Sequence, residues 1–157
     1  IRDRYRYAPA TTPEPDEIYL LPFGQANVVK EGNDLTIVTL GMMVYKSLEA
    51  AKTVSSSTGA SIEIIDLRTL NPMDMQTVRE SIEKTNKVMV VHEDNLTNGP
   101  GAEISAIIAD EFFELLDGPV RRVASKDSHI GFSPIIEDVI LPQTEEIVQT
   151  AQELLEY

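Results

Sequence analysis

The run Val88-Met89-Val90-Val91 constrains this chain more than any other stretch. It is apolar, rich in β-branched residues and too short for a helix, with no polar position left for a solvent-facing side. It reads as a strand covered on both faces, as in a parallel sheet. A polar segment, His92 to Asn98, follows, and then Gly99-Pro100-Gly101. Ile104, Ile107, Ile108, Phe112 and Leu115 recur at the spacing of one helix face. Strand, glycine-bearing turn and helix make half of a βαβ unit. The polar turn sits at the strand's carboxyl end, where open α/β sheets place ligands or partners.

The same grammar repeats along the chain. Phe23 to Val29 reads as a short edge strand, and Glu31-Gly32-Asn33-Asp34 as a turn. Leu35 to Leu40 is a second buried strand ending at Gly41. Met43, Val44, Ser47, Leu48, Ala51 and Val54 then follow at helical spacing, up to Ser55-Ser56-Ser57-Thr58-Gly59. Ile62 to Leu67 is the next strand, and Asn71-Pro72 supplies a cap and first-turn proline for a helix carrying Met75, Val78 and Ile82. Val120 to Ala124 is the last strand, with two arginines that suggest an edge. Asp127 to Gln143, interrupted by Pro134 and Pro142, reads as irregular. A final helix starts near Thr144 and buries Ile147, Ala151, Leu154 and Leu155. Alternation of this kind implies an α/β fold with a mostly parallel sheet, helices on both faces and right-handed crossovers. Residues 1–22, with prolines at 9, 13, 15 and 22, read as an extended arm or linker, and residues 23–157 as one domain.

Composition narrows the classes of partner. The formal charge of −13 argues against nucleic acid and anionic membranes. No apolar run approaches the ~20 residues of a membrane span. The absence of cysteine excludes disulfides, thiolate metal sites and a cysteine nucleophile, and fits a reducing compartment. There is no signal-peptide pattern, and a chain that opens on Ile1 suggests a piece of something longer. Arg2, Arg4 and Arg6 make the start basic, whereas no Lys or Arg follows Lys126. That acidic tail either keeps the protein soluble or faces a basic partner.

The strand carboxyl ends carry Asp66 and Arg68, then His92, Glu93 and Asp94, then Asp127 and His129. Such a set could bind a divalent metal or run acid–base chemistry. Its spacings match no metal signature, and adjacent strand residues point to opposite faces, so capping, pairing with Arg68 or contact with another protein surface is the stronger reading. Gly99-Pro100-Gly101 lacks the third glycine of a dinucleotide fingerprint, and Glu103 puts a negative charge where an anion would sit. Ser125 with His129 is a weak nucleophile pair, and the five methionines read as core filler.

Several segments carry a family likeness: Leu21 to Ala26, Lys30-Glu31-Gly32, Asp66 to Asp74, Val91 to Asp94, Gly101 to Ile104, Gly118 to Ala124, and Ser133 to Asp138. With these in order over residues 16–157, the chain resembles the C-terminal, transketolase-like domain of the beta subunit of 2-oxo acid dehydrogenase (decarboxylating) complexes, of branched-chain or pyruvate type. The His-Glu form of the central turn leans toward the branched-chain enzymes. Asp127 to Phe132 and Asn98-Gly99 depart from the family's usual wording. The resemblance implies a three-layer α/β/α fold with a five-stranded sheet whose first strand runs antiparallel. It implies a domain that serves assembly with an alpha subunit and a second beta subunit, and that is not catalytic alone. Thiamin diphosphate and Mg would then lie outside this chain, so no catalytic, cofactor or metal residue is carried over. The basic subunit-binding domain of a lipoyl acyltransferase is expected to dock near Glu137 and Asp138, and His92, Glu93 and Asp94 are expected at a subunit-interface turn. The expected location is cytoplasmic in a prokaryote and the mitochondrial matrix in a eukaryote. Two alternatives are the last domain of a transketolase or deoxyxylulose-phosphate synthase, and a freestanding metal-dependent enzyme using His92, Glu93 and Asp127.

Overall fold

A computed structural model describes residues 16–157. The expected arm therefore lies outside the described residues up to residue 15, and residues 16–22 run as exposed coil. Five strands form one sheet in the order β1-β3-β2-β4-β5, with β1 at Asn27–Lys30, β2 at Leu35–Thr39, β3 at Ile62–Asp66, β4 at Val88–Asn95 and β5 at Arg121–Ser125. β1 runs antiparallel to β3, and every other pair is parallel. The helices are α1 (Met43–Thr58), α2 (Met75–Thr85), α3 (Pro100–Glu111), α4 (Pro134–Ile140) and α5 (Thr144–Leu155), with a 3-10 turn at Phe113–Leu115. No helix among the described residues is long and apolar enough to cross a membrane.

The two-sided burial of the strands produces two cores. Leu35, Ile37, Ile64, Met89 and Val91 face α1 and α5, which bring Ala50, Val54, Ile147 and Leu154. Val38, Ile65, Val88 and Val90 face α2 and α3, which bring Val78, Ile82, Ile104 and Ile108. Each such side chain contributes ~1.5–3 kcal/mol relative to exposure, so two apolar layers dominate the folding free energy. Most polar side chains left inside are paired, Ser47 and His92 excepted. Thr36 Oγ1 lies 2.6 Å from both Ser81 Oγ and Thr85 Oγ1, which ties β2 to α2. Glu63, 1% exposed, accepts hydrogen bonds from Lys84 Nζ and from the Gly32 N–H. Burial pushes its carboxyl up, but the bonds from Lys84, Ser81 and Gly32 outweigh that and leave it below the usual range.

Four local expectations change. The edge strand begins at Asn27 rather than Phe23, because Gly24 sits in a left-handed turn (φ 71°) and donates its N–H to Thr69 Oγ1 at 3.0 Å. Asn71-Pro72 does not open α2. Asp74 caps it, accepting from the Thr77 N–H at 3.1 Å and the Thr77 hydroxyl at 2.7 Å. β4 continues past Val91, since Asn95 pairs with Ser125 after a slip in register, so His92 to Asp94 form a bulged strand end and not a free turn. Asp127 to Gln143 is not wholly irregular, because Pro134 starts α4.

Candidate functional site

The parallel strands gather their carboxyl ends at one edge of the sheet, but the side chains there do not converge. His92 continues the parity of Val88 and Val90, so it points inward under the first turn of α3 and is only 1% exposed. Its ring fills space that two glycines leave open. A Cβ on Gly101 would stand 2.2 Å from His92 Nε2, and one on Gly99 would stand 2.9 Å from Cε1. Neither ring nitrogen has a hydrogen-bond partner among the described residues. Burial holds the imidazole below its ordinary value, Asp94 pulls it up and Arg122 pushes it down.

Glu93 is half-buried and Asp94 is exposed. Asp127 Oδ1 accepts from the Thr97 N–H at 2.9 Å and Oδ2 from the Thr97 hydroxyl at 2.6 Å. The Thr97 hydroxyl bond first, then its N–H and Arg122, hold this exposed carboxyl below the usual range. Asp66 accepts from the Arg68 N–H at 3.1 Å instead of pairing with the guanidinium. Ser125 is 1% exposed and donates to the Glu93 carbonyl at 2.6 Å, so it is not presented to His129 as a nucleophile would be. No three His, Asp or Glu side chains among the described residues stand together to hold a metal. The set His92, Glu93 and Asp127 fails as a metal site for two reasons: His92 is inside the core, and Asp127 is spent on Thr97.

The outer face of α3 presents something different. Ala102, Ser105, Ala106 and Ala109 line a groove of about 710 Å³ together with Phe113, Leu116 and Val120. Small side chains on an exposed helix face let a second element approach closely, and Phe113 is left 72% exposed. Glu103, Asp110, Glu111, Glu114 and Asp117 are all exposed along this segment, and no Lys or Arg occurs between Lys87 and Arg121. Arg122 is the one cation in the lining. A second apolar surface, Ile130, Phe132, Ile135, Ile136 and Val139, stands exposed around α4 beside the half-buried Glu137 and exposed Asp138. The sequence reading missed the α3 groove, although its stripe of small residues at positions 102, 105, 106 and 109 was there to be read.

Sheet order, the antiparallel first strand and helices on both faces make this a three-layer α/β/α domain of the type that closes transketolase-like chains. The chain belongs to the family described as transketolase, C-terminal domain, whose model matches residues 24–147. It is 38% identical over 141 residues to the acetoin:2,6-dichlorophenolindophenol oxidoreductase subunit beta of Bacillus subtilis, covering 90% of this chain and 41% of that one. It is 41% identical over 143 residues to the pyruvate dehydrogenase E1 component subunit beta of Staphylococcus aureus, covering 91% and 43%. Among solved structures, a split gene transketolase described as an inactive beta4 tetramer matches with a TM-score of 0.76 and 28% identity, over 94% of this chain and 46% of that chain. The family resemblance read from the motifs therefore holds, and the chain spans less than half the length of these relatives.

Proposed function

We propose that this chain is the subunit-assembly and partner-docking domain of a beta subunit in a thiamin-diphosphate-dependent dehydrogenase acting on a 2-oxo acid or on acetoin. The observation that carries the reading is the apolar groove on α3 with its one-signed acidic flank. An apolar centre with a charged, mainly acidic rim is the anatomy of a recognition surface, where the centre supplies affinity and the rim supplies orientation and rate. The relatives named above are beta subunits, which supports an alpha subunit and a second beta subunit as partners.

The partner chemistry that fits is a small basic domain, as in the lipoyl acyltransferase of such complexes. Its cations would meet the acidic groups beside the groove and, on α4, Glu137 and Asp138. Asp94 and Glu93 lie at the strand-end bulge and would face a neighbouring subunit, while His92 supports that bulge from within. Thiamin diphosphate and Mg²⁺ would be held in the parent enzyme outside this chain. In the parent enzyme, decarboxylation and acyl transfer to lipoyl would use groups outside this chain. A cytoplasmic location in a prokaryote, or the mitochondrial matrix in a eukaryote, accompanies the proposal.

A second reading, a chain of a split transketolase, is favoured by the solved neighbour of that description. Two double variants separate the readings. Glu114→Lys with Asp117→Lys, and Glu137→Lys with Asp138→Lys, are each titrated with the acyltransferase's basic domain. Loss of binding in either pair supports docking and identifies its surface. Unchanged binding in both, or none by the wild type, refutes the docking role and favours the transketolase chain.

A further inference from the structure

We propose that His92 is an acid-sensitive latch: its neutral ring holds the first turn of α3 against the end of β4, and protonation of the ring releases that turn. The geometry is specific. The ring, 1% exposed, occupies the contact surface left by Gly99 and Gly101, and neither nitrogen has a partner among the described residues. A neutral imidazole tolerates that environment, whereas an imidazolium would be buried with no acceptor. It would also face the N-terminal end of α3, whose dipole is positive there.

The surrounding charges do not rescue it. On β4, Asp94 draws the proton onto the ring, and the next residue along from the ring, Glu93, is half-buried. On β5, Arg122 opposes protonation. On α3, Glu103 in the first turn is exposed, and β2 (Leu35–Thr39) brings no ionisable group. Burial is the largest influence and keeps the ring's proton affinity below the ordinary one.

The sign follows. With the turn open, the imidazole takes a proton at about pH 6.5; with the turn closed, only at lower pH. The latch is at full strength above about pH 6.5. Below that, the open fraction grows about tenfold per pH unit until the closed-state value is reached. Opening carries with it Ala102 and Ser105, which line the groove. The latch does not depend on what occupies that groove.

Two measurements on the protein test it. The first is NMR titration of the imidazole in His129→Gln, which leaves His92 as the only histidine. The second is amide exchange of residues 101–105, taken as protection relative to β2 at about pH 7.5 and about pH 5.5. The expected results are titration below about pH 6.5 and lower protection of that turn at the acid point, by up to about tenfold. His92→Leu, if it folds, should show no such pH dependence. A ring that titrates at or above about pH 6.5, or a first turn equally protected at both pH values, would overturn the latch.

Discussion

Gly101→Ala is the sharpest test of how α3 sits on the sheet. In an ordinary first helical turn, glycine to alanine stabilises by up to ~1 kcal/mol, because alanine loses less backbone entropy and has the higher helix propensity. Here the added Cβ would lie 2.2 Å from His92 Nε2 and 2.3 Å from Cδ2, well inside contact distance. The ring has nowhere to retreat: it is 1% exposed, and Gly99 closes on its other edge. Either α3 or the bulged end of β4 must shift. Forcing a methyl into a filled core costs ~1–3 kcal/mol, and a 2.2 Å approach to a ring with little room to move puts this site in the upper part of that range, so against a propensity gain of up to ~1 kcal/mol the net effect is a loss of ~1–2 kcal/mol. For a domain of this size, that corresponds to a Tm lower by roughly 2–8 °C. Urea unfolding of wild type, Gly101→Ala, His92→Ala and the double variant measures it. The clash argument requires the double variant to be more stable than the sum of the single losses by at least ~1 kcal/mol. A stabilised Gly101→Ala, or strict additivity, would refute the packing described.

Asp74→Ala should cost ~1–2 kcal/mol, since it removes the α2 cap and also the acceptor for the Ala26 N–H at 2.9 Å. The Asp74 carboxyl is held below its usual range by bonds from Ala26 and Thr77, which outweigh burial. Its contribution is therefore complete above about pH 4 and is lost as pH falls further, and Asp74→Ala should flatten the acid limb of a stability-versus-pH curve. Lys84→Met removes the cation that reaches the buried Glu63 and should destabilise by ~1–3 kcal/mol in urea unfolding, with Glu63→Gln in the same background restoring part of the loss. Ala106→Trp places bulk on an exposed position of the α3 groove, so Tm should stay within the equivalent of ~0.5 kcal/mol while partner binding falls at least tenfold in calorimetry.

The sequence carried the fold well where side chains face the core and poorly where they do not. The start of β4 was legible as an unbroken apolar run, and β2 and β3 as short β-branched runs interrupted by Thr36, Thr39 and Glu63, because parallel strands are buried on both faces. α4 was hidden because Ile135, Ile136 and Val139 point outward and only Ile140 is buried, so its apolar residues show no core-facing period. The extension of β4 to Asn95 depends on pairing with Ser125, a contact no local pattern can announce. The antiparallel first strand came from the family likeness and not from periodicity. His92 drew attention as an ionisable group in a turn, yet the alternation from Val88 already assigned it to the inner face. The acidic flank of α3 was visible as charge, but the groove beside it became apparent only once the alanine stripe was seen uncovered.

The most direct measurement is the affinity of this protein for the basic subunit-binding domain of a lipoyl acyltransferase, followed by calorimetry from low to high ionic strength. Specific binding that weakens steadily as salt is added, and that Ala106→Trp abolishes, is the predicted result. No binding at low salt, or an affinity indifferent to both salt and the groove, would contradict the docking role.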